Sequence, residues 1–250
     1  MALRPDPNDF RKRFLAGETL LGTFLKTPTG HAAEILGPAG FDFVVIDQEH
    51  APFDRGTIDL ALMGARAGGI AGLVRVSDDG RLLSALDDGA IGVLVPHVSS
   101  AEKARDAVSL CRYRGGRRGF SNTTRAGGYG AAAMWPHVDA QDAAVTVIAM
   151  IEDPEALDQL DAIFATPGLD GAFIGRGDLT VALGAAALNA PETQSATERI
   201  LAAARRAGKP VCIMVANAAE AADWARLGAS AYIVSSDQGL MRMMAVKTAA

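Results

Sequence analysis

The sequence predicts a closed (β/α)₈ barrel of the α/β class, and three observations carry that prediction. The chain has 250 residues, 49% of them hydrophobic, a size and apolar content suited to a single barrel domain over 1–250. Eight short apolar segments alternate with segments of helical periodicity, the pattern of parallel strands joined by crossover helices. No GxGxxG or Walker sequence marks an open nucleotide-binding sheet. The formal net charge of −5 and the lack of a basic face argue against a nucleic-acid binder and favour small substrates. No apolar run reaches membrane-spanning length, and the start, MALRPDPNDFRKRF, lacks the apolar core and cleavage site of a signal peptide, so a cytoplasmic protein with no membrane partner is expected. Cys111 and Cys212 lie far apart in apolar patterns, without metal-type spacing, and read as buried free thiols.

Each element has its own signal. A polar start allows a short helix over 8–16, and 20–25 is the first strand, closed by Lys26, Thr27 and Pro28. GHAAEILGPAG is a helix with a Gly-Pro stop. In FDFVVIDQEH, residues 43–46 form a fully apolar second strand, which leaves Asp47, Glu49 and His50 at its C-terminal end. A helix over about 54–67 leads to a third strand, 73–76, with Arg75 embedded in it. An arginine there either crosses the barrel interior to meet an anion or sits on an edge, and parallel strands offer few edges. Ser77 and Asp78 are available to cap a helix over 81–86 that Gly89 ends; strand four follows at 92–96, with His97 immediately after it. A helix over 101–112, capped by Ser99 or Ser100, leads into RYRGGRRGFSNTTRAGGYG. That excursion, 112–139, exceeds an ordinary barrel connection and is read as an active-site or subunit-contact loop, with a solvated turn as the alternative for Arg114 and Arg117.

Strand five spans 145–152 and ends on Glu152, where Asp153-Pro154 stops it. Asp153 caps a helix in EALDQLDAIF that Pro167-Gly168 ends, and 171–174 is strand six. The helix 193–207, strand seven at 210–215, the helix AAEAADWARLGA and strand eight at 231–235 complete the set, followed by a mostly apolar tail over 240–250.

In such barrels the site forms at the C-terminal ends of the strands. Asp47, His50, Arg75, His97, Glu152 and Asp178 all map there. Glu152 and Asp178 face each other just past neighbouring strands, either as solvated loop carboxylates or as ligands of a hard divalent ion that relieves their repulsion. Arginine supplies a planar fork for a carboxylate or enolate oxygen, and a histidine with an acidic neighbour moves a proton near neutral pH.

The segments FDFVVIDQEHAP, LVRV, VLVPHV, MIEDPEAL and GLDGAFIGRGDL stand in the order and spacing of the HpcH/HpaI aldolases, the metal-dependent class II pyruvate aldolases, and the resemblance covers 21–239. By that resemblance Glu152 and Asp178 hold a divalent metal (Mg²⁺, Mn²⁺ or Co²⁺), Arg75 contacts the pyruvate oxygens, and His50 with Asp47 forms an acid/base dyad. Asp87 matches an aspartate that supports this dyad from a neighbouring subunit, and the assembly it implies is a homo-hexamer, a trimer of dimers. Gly177 and Asp178 are expected to bind the substrate carboxylate through backbone N–H groups. Three positions depart from the pattern: Met150 stands where many relatives have Gln, Gly175-Arg176-Gly177-Asp178 where many have GPxD, and Phe24 where Trp is common. Phe24 and Met150 border the substrate, so donor and acceptor preference do not carry over; Arg176 either adds an anion contact or turns to solvent.

The activity so implied is reversible aldol cleavage of a 4-hydroxy-2-oxoacid to pyruvate, or hydroxypyruvate, and an aldehyde through a metal-bound enolate. Three other classes compete. A Schiff-base aldolase needs a strand-end lysine, and only Lys26 is so placed. An acyl-CoA lyase of the citramalyl or malyl type shares the barrel but needs a longer chain to cover the coenzyme. A non-catalytic scaffold barrel gives no reason for Arg75 beside paired carboxylates.

Overall fold

A computed structural model describes residues 6–249. Residues 1–5 and Ala250, which belong to the domain and tail expectations above, lie outside the described residues. Eight parallel strands, β1 (Leu20–Leu25), β2 (Phe43–Asp47), β3 (Ala71–Arg75), β4 (Gly92–Val95), β5 (Thr146–Ile151), β6 (Gly171–Ile174), β7 (Val211–Val215) and β8 (Ala229–Ser236), pair in chain order. β8 pairs back onto β1, so the sheet is a closed barrel, as the alternating pattern predicts.

Eleven α-helices accompany the strands among the described residues: α1 (Phe10–Leu15), α2 (His31–Leu36), α3 (Arg55–Gly68), α4 (Leu82–Asp87), α5 (Ala101–Cys111), α6 (Met134–Ala144), α7 (Leu160–Phe164), α8 (Arg176–Ala182), α9 (Pro191–Arg206), α10 (Ala218–Leu227) and α11 (Asp237–Ala249). Asp54 caps α3 in a reciprocal box with Thr57, and Ser100 caps α5 by accepting the Lys103 N–H at 3.1 Å. Two expected caps do not form. Ser77 and Asp78 precede a 3₁₀ turn, Asp79–Arg81, without a side-chain cap, and Asp153 caps nothing because its carboxylate is drawn to His97. The segment after Asp153 is a 3₁₀ turn, Pro154–Asp158, followed by the short α7, where the stripe predicts one helix.

Strand periodicity divides the core in two. Leu20, Phe24, Phe43, Val45, Leu73, Leu94, Ile148, Met150, Phe173 and Ile233 fill the barrel interior, while the alternate residues, among them Val44, Ile46, Val74, Val93 and Ile174, pack against the helices. α1 closes one end: Phe10 and Phe14 stack at 5.8 Å and Phe10 meets Phe43 at 5.3 Å. Gly22 is small of necessity, because a Cβ there would lie 2.3 Å from the Phe43 ring. The same alternation carries past the last apolar residues, so the inward row of β2 continues to Asp47, that of β3 to Arg75 and that of β5 to Glu152. Polar groups thus occupy the open mouth of an apolar barrel.

The excursion over 112–139 is partly helical. A 3₁₀ segment, Arg125–Gly130, and the start of α6 occupy its second half. Arg114 and Arg117 are exposed and pair with Asp139 and Asp106, the solvated arrangement, whereas Arg112 is buried and donates to the Val145 carbonyl at 2.9 Å and to Asp170 at 3.1 Å.

Candidate active site

Register brings the first pair together. Asp47 and Arg75 are direct neighbours across β2 and β3, both on the interior face. Arg75 grips Asp47 with two arms, Nε to Oδ1 at 2.9 Å and Nη2 to Oδ2 at 2.7 Å, and its Nη1 lies 3.3 Å from Glu49 Oε2. Its guanidinium also lies 4.9 Å over the Phe24 ring. Lys26, one step beyond β1, adds its Nζ 3.1 Å from Asp47 Oδ2. Burial alone would raise the Asp47 carboxyl, but the hydrogen bonds and charge of Arg75, with help from the His50 N–H and Lys26, hold it below the usual carboxylate range. The interior arginine therefore meets an anion, the first of the two arrangements its sequence position allows.

The expected dyad takes a different form. Asp47 accepts the backbone N–H of His50 at 3.1 Å and does not hold its ring. The imidazole is 54% exposed, and the carboxylate it approaches is Glu49, 3.8 Å from Nε2. The reason is local: Asp47 ends an extended strand and the chain turns at once, so the acid's oxygens point into the barrel while the histidine three residues on swings to the rim.

Glu152 follows β5 and is 2% exposed. Its Oε1 accepts the backbone N–H of His97 at 2.8 Å. That contact needs His97 in the left-handed region, with φ 54°, which turns the N–H inward at the end of β4. Gly175 is equally constrained, since a Cβ there would sit 2.5 Å from both Cβ and Oε2 of Glu152. Burial pushes the Glu152 carboxyl up; His97 opposes the rise, and Asp178 and Glu49 add to it. The His97 ring is held by Asp153, Nδ1 to Oδ1 at 3.0 Å, and lies 3.8 Å from Glu49; burial lowers its basicity, and Asp153, Glu152 and Glu49 together raise it above the ordinary value. Asp178 stands in the first turn of α8.

Phe24, Lys26, Arg75, Met150, Gly177 and Asp178 all line one cleft of about 1010 Å³ at this mouth. The substrate-contact residues expected from the sequence therefore share one cavity. Asp87 does not join them. Within the chain it is half-buried at the end of α4, 3.7 Å from the buried Arg118, and burial raises its carboxyl. Sequence reasoning gave no site role to Glu49 and Asp153, which approach the two histidines; both lie beyond the strand ends, where periodicity does not say which way a side chain points.

The donor chemistry suits a hard divalent cation. Glu152 and Asp178 offer only oxygen, and Glu152 is buried with repelling carboxylates for neighbours, a state a cation relieves. Among the described residues no group of three or more His, Cys, Asp or Glu side chains is arranged to enclose an ion. A cation held by Glu152 and Asp178 would need further oxygen ligands from outside these side chains, as Mg²⁺ commonly takes from water and substrate.

The profile of the HpcH/HpaI aldolase/citrate lyase family matches residues 20–242. A 5-keto-4-deoxy-D-glucarate aldolase of Klebsiella pneumoniae is 36% identical over 248 residues, covering 97% of this chain and 96% of the relative. An HpcH/HpaI aldolase/citrate lyase family protein from Burkholderia cenocepacia superposes with a TM-score of 0.90 at 31% identity, covering 97% of both chains. A citrate synthase, SbnG, superposes with a TM-score of 0.87 at 28% identity, covering 96% of both.

Proposed function

The chain belongs to the HpcH/HpaI aldolase/citrate lyase family, and from that premise we propose that it cleaves 4-hydroxy-2-oxoacids reversibly to pyruvate, or hydroxypyruvate, and an aldehyde through an enolate. It is a carbon–carbon lyase of the aldolase kind; what is proposed is the substrate class, the residues and their roles. The observation that carries the proposal is the interior Arg75, clamped on Asp47 at the mouth of the cleft that Asp178 lines, with Glu152 buried at the same barrel mouth.

Glu152 and Asp178 hold the divalent cation, which when bound supplies Lewis-acid polarisation of the substrate's 2-oxo group. Arg75 enters the reaction already oriented. Two of its donors are fixed on Asp47, and Nη1, whose contact to Glu49 is the longest of the three at 3.3 Å, is the donor able to turn to the 2-oxo oxygen as negative charge gathers there. His50 stands at the exposed rim with its main chain pinned by Asp47, so Asp47 acts as a positioning residue for both Arg75 and His50. In the addition direction His50 takes a C3 proton of pyruvate, the C–H pair becomes the enolate, C3 bonds to the aldehyde carbon, and the new alkoxide receives a proton. In cleavage His50 removes the C4 hydroxyl proton and the C3–C4 pair returns to the enolate. The backbone N–H groups at Gly177 and Asp178, in the first turn of α8, receive the substrate carboxylate. Lys26 is committed to Asp47 in an ion pair, which disfavours the Schiff-base alternative.

Pyruvate release from a 4-hydroxy-2-oxoacid tests the reading. Exhaustive chelation should abolish release and Mg²⁺, Mn²⁺ or Co²⁺ should restore it. Activity that survives chelation, with borohydride trapping pyruvate on Lys26, contradicts it.

A further inference from the structure

We infer that the part of the cleft beyond the pyruvate position is an acceptor subsite for uncharged aldehydes with an apolar tail. The inference rests on the aldolase reading and names its second substrate by class. Three cations line the cleft, and each is already matched by an acid of this chain. Lys26 pairs with Asp47, and Arg75 pairs with Asp47 and Glu49, as described above. Arg176, the residue that departs from the family's GPxDL pattern, is fixed on the opposite wall: Nη1 donates to Glu220 Oε1 at 2.5 Å, Nη2 donates to the Leu188 carbonyl at 3.1 Å, and the guanidinium lies 4.9 Å over the Trp224 ring. Glu220 is held in turn by the Ala216 N–H at 2.7 Å. Burial alone would raise the Glu220 carboxyl, but that N–H, Arg176 and the Trp224 indole keep it below the ordinary range, so the Arg176 charge faces an ionised carboxylate, with only its Nε left unpartnered. A distal carboxylate on the acceptor meets no unmatched cation here and approaches Glu220.

The remaining wall is mainly apolar, with Asn189, Ser235 and Ser236 as its uncharged polar members. Met214 is 42% exposed in a strand whose other four residues are buried, and Leu188, on the loop that Arg176 tethers, is 51% exposed. Met214 continues the inward row of Cys212, so its exposed surface faces the barrel mouth. Apolar side chains held around a cleft with few free polar partners gain by being covered, and an aldehyde's alkyl or aryl tail covers them. The aldol step is unchanged: C3 of pyruvate bonds to the aldehyde carbon, the carbonyl π pair moves to oxygen, and that oxygen takes a proton. The subsite decides which aldehyde is held there.

The test is a kcat/KM series for addition of pyruvate to propanal, butanal, pentanal and hexanal, set against glyoxylate and succinic semialdehyde, with deuterium exchange of pyruvate C3 run alongside. The neutral series should climb about 2- to 4-fold per methylene, and succinic semialdehyde should fall about 10-fold or more below butanal, its neutral counterpart in chain length. Glu220→Gln, which leaves the Arg176 charge unmatched, should raise the anionic aldehyde relative to butanal by about 5-fold. Met214→Lys should do the same and flatten the neutral series. Exchange together with a flat series, or with anionic aldehydes equal to or better than neutral ones, overturns the apolar subsite and leaves the aldolase reading standing. Absence of both exchange and addition overturns the aldolase reading and the subsite with it.

Discussion

Asp47 is wholly buried, yet Arg75, the His50 N–H and Lys26 offset the cost of burial and hold its carboxyl below the ordinary range. Its folded-state value is depressed, so the stabilisation is complete above the unfolded aspartate value of about 3.9 and is lost as pH falls through the lower folded one. Asp47→Asn should cost about 3 kcal/mol in urea unfolding at pH 7, because it strands part of the buried Arg75 charge. The deficit relative to the wild type should shrink as unfolding is repeated below pH about 4. Gly175 makes a second test at this scale. Gly175→Ala pushes a methyl into Glu152 and should destabilise by about 1–3 kcal/mol, with a matching loss of Mn²⁺ affinity by calorimetry. Arg75 was legible in the sequence because a charge in an apolar parallel strand has one economical destination. The carboxylates facing His50 and His97 were not, because Glu49 and Asp153 sit in turns, where strand periodicity no longer says which way a side chain points.

The strands were legible almost residue by residue, since each is a short apolar run bounded by a turn signal. Helices divided by how they bury their surface. α3, α5, α9 and α10 carry stripes or caps that a 3.6-residue period detects. α6 buries only His137 and Val138, and α11 buries nothing within this chain, so neither shows a stripe and both escaped the pattern. α8 escaped because it is seven residues long and begins inside the site motif. α1 was legible as a short helix, but its role as the plug of the barrel was not, because that depends on Phe14 being wholly buried beneath residues far away in sequence. Phe14→Ala should lower stability by about 3–5 kcal/mol; the effect should appear in thermal unfolding and leave the pyruvate KM near the wild-type value, since the plug lies at the end opposite the cleft.

At the scale of the whole molecule, closure of eight parallel strands sets residues from β2, β3, β4, β5 and α8 around one opening, although Asp47 and Asp178 are far apart in the chain. No helix among the described residues is long and apolar enough to cross a membrane. Met241, Met243, Met244 and Val246 of α11 are all exposed in the isolated chain, as are Met134 and Trp135 of α6. The proposal extends to assembly: these faces are buried between copies, in the hexamer that the family resemblance implies, and Asp87 acts on a neighbour's site. Light scattering should report a hexamer, and a fully active monomer contradicts this and removes any role for Asp87. The central claim is narrower, that Arg75 and His50 generate a pyruvate enolate, and exchange of the pyruvate C3 protons in D₂O with no aldehyde present tests it most directly. The wild type should lose its methyl proton signal by NMR, and His50→Ala should slow that loss by about 10²- to 10⁴-fold, with Arg75→Ala severely impaired as well. Exchange at the wild-type rate in His50→Ala contradicts the account and moves the base to His97.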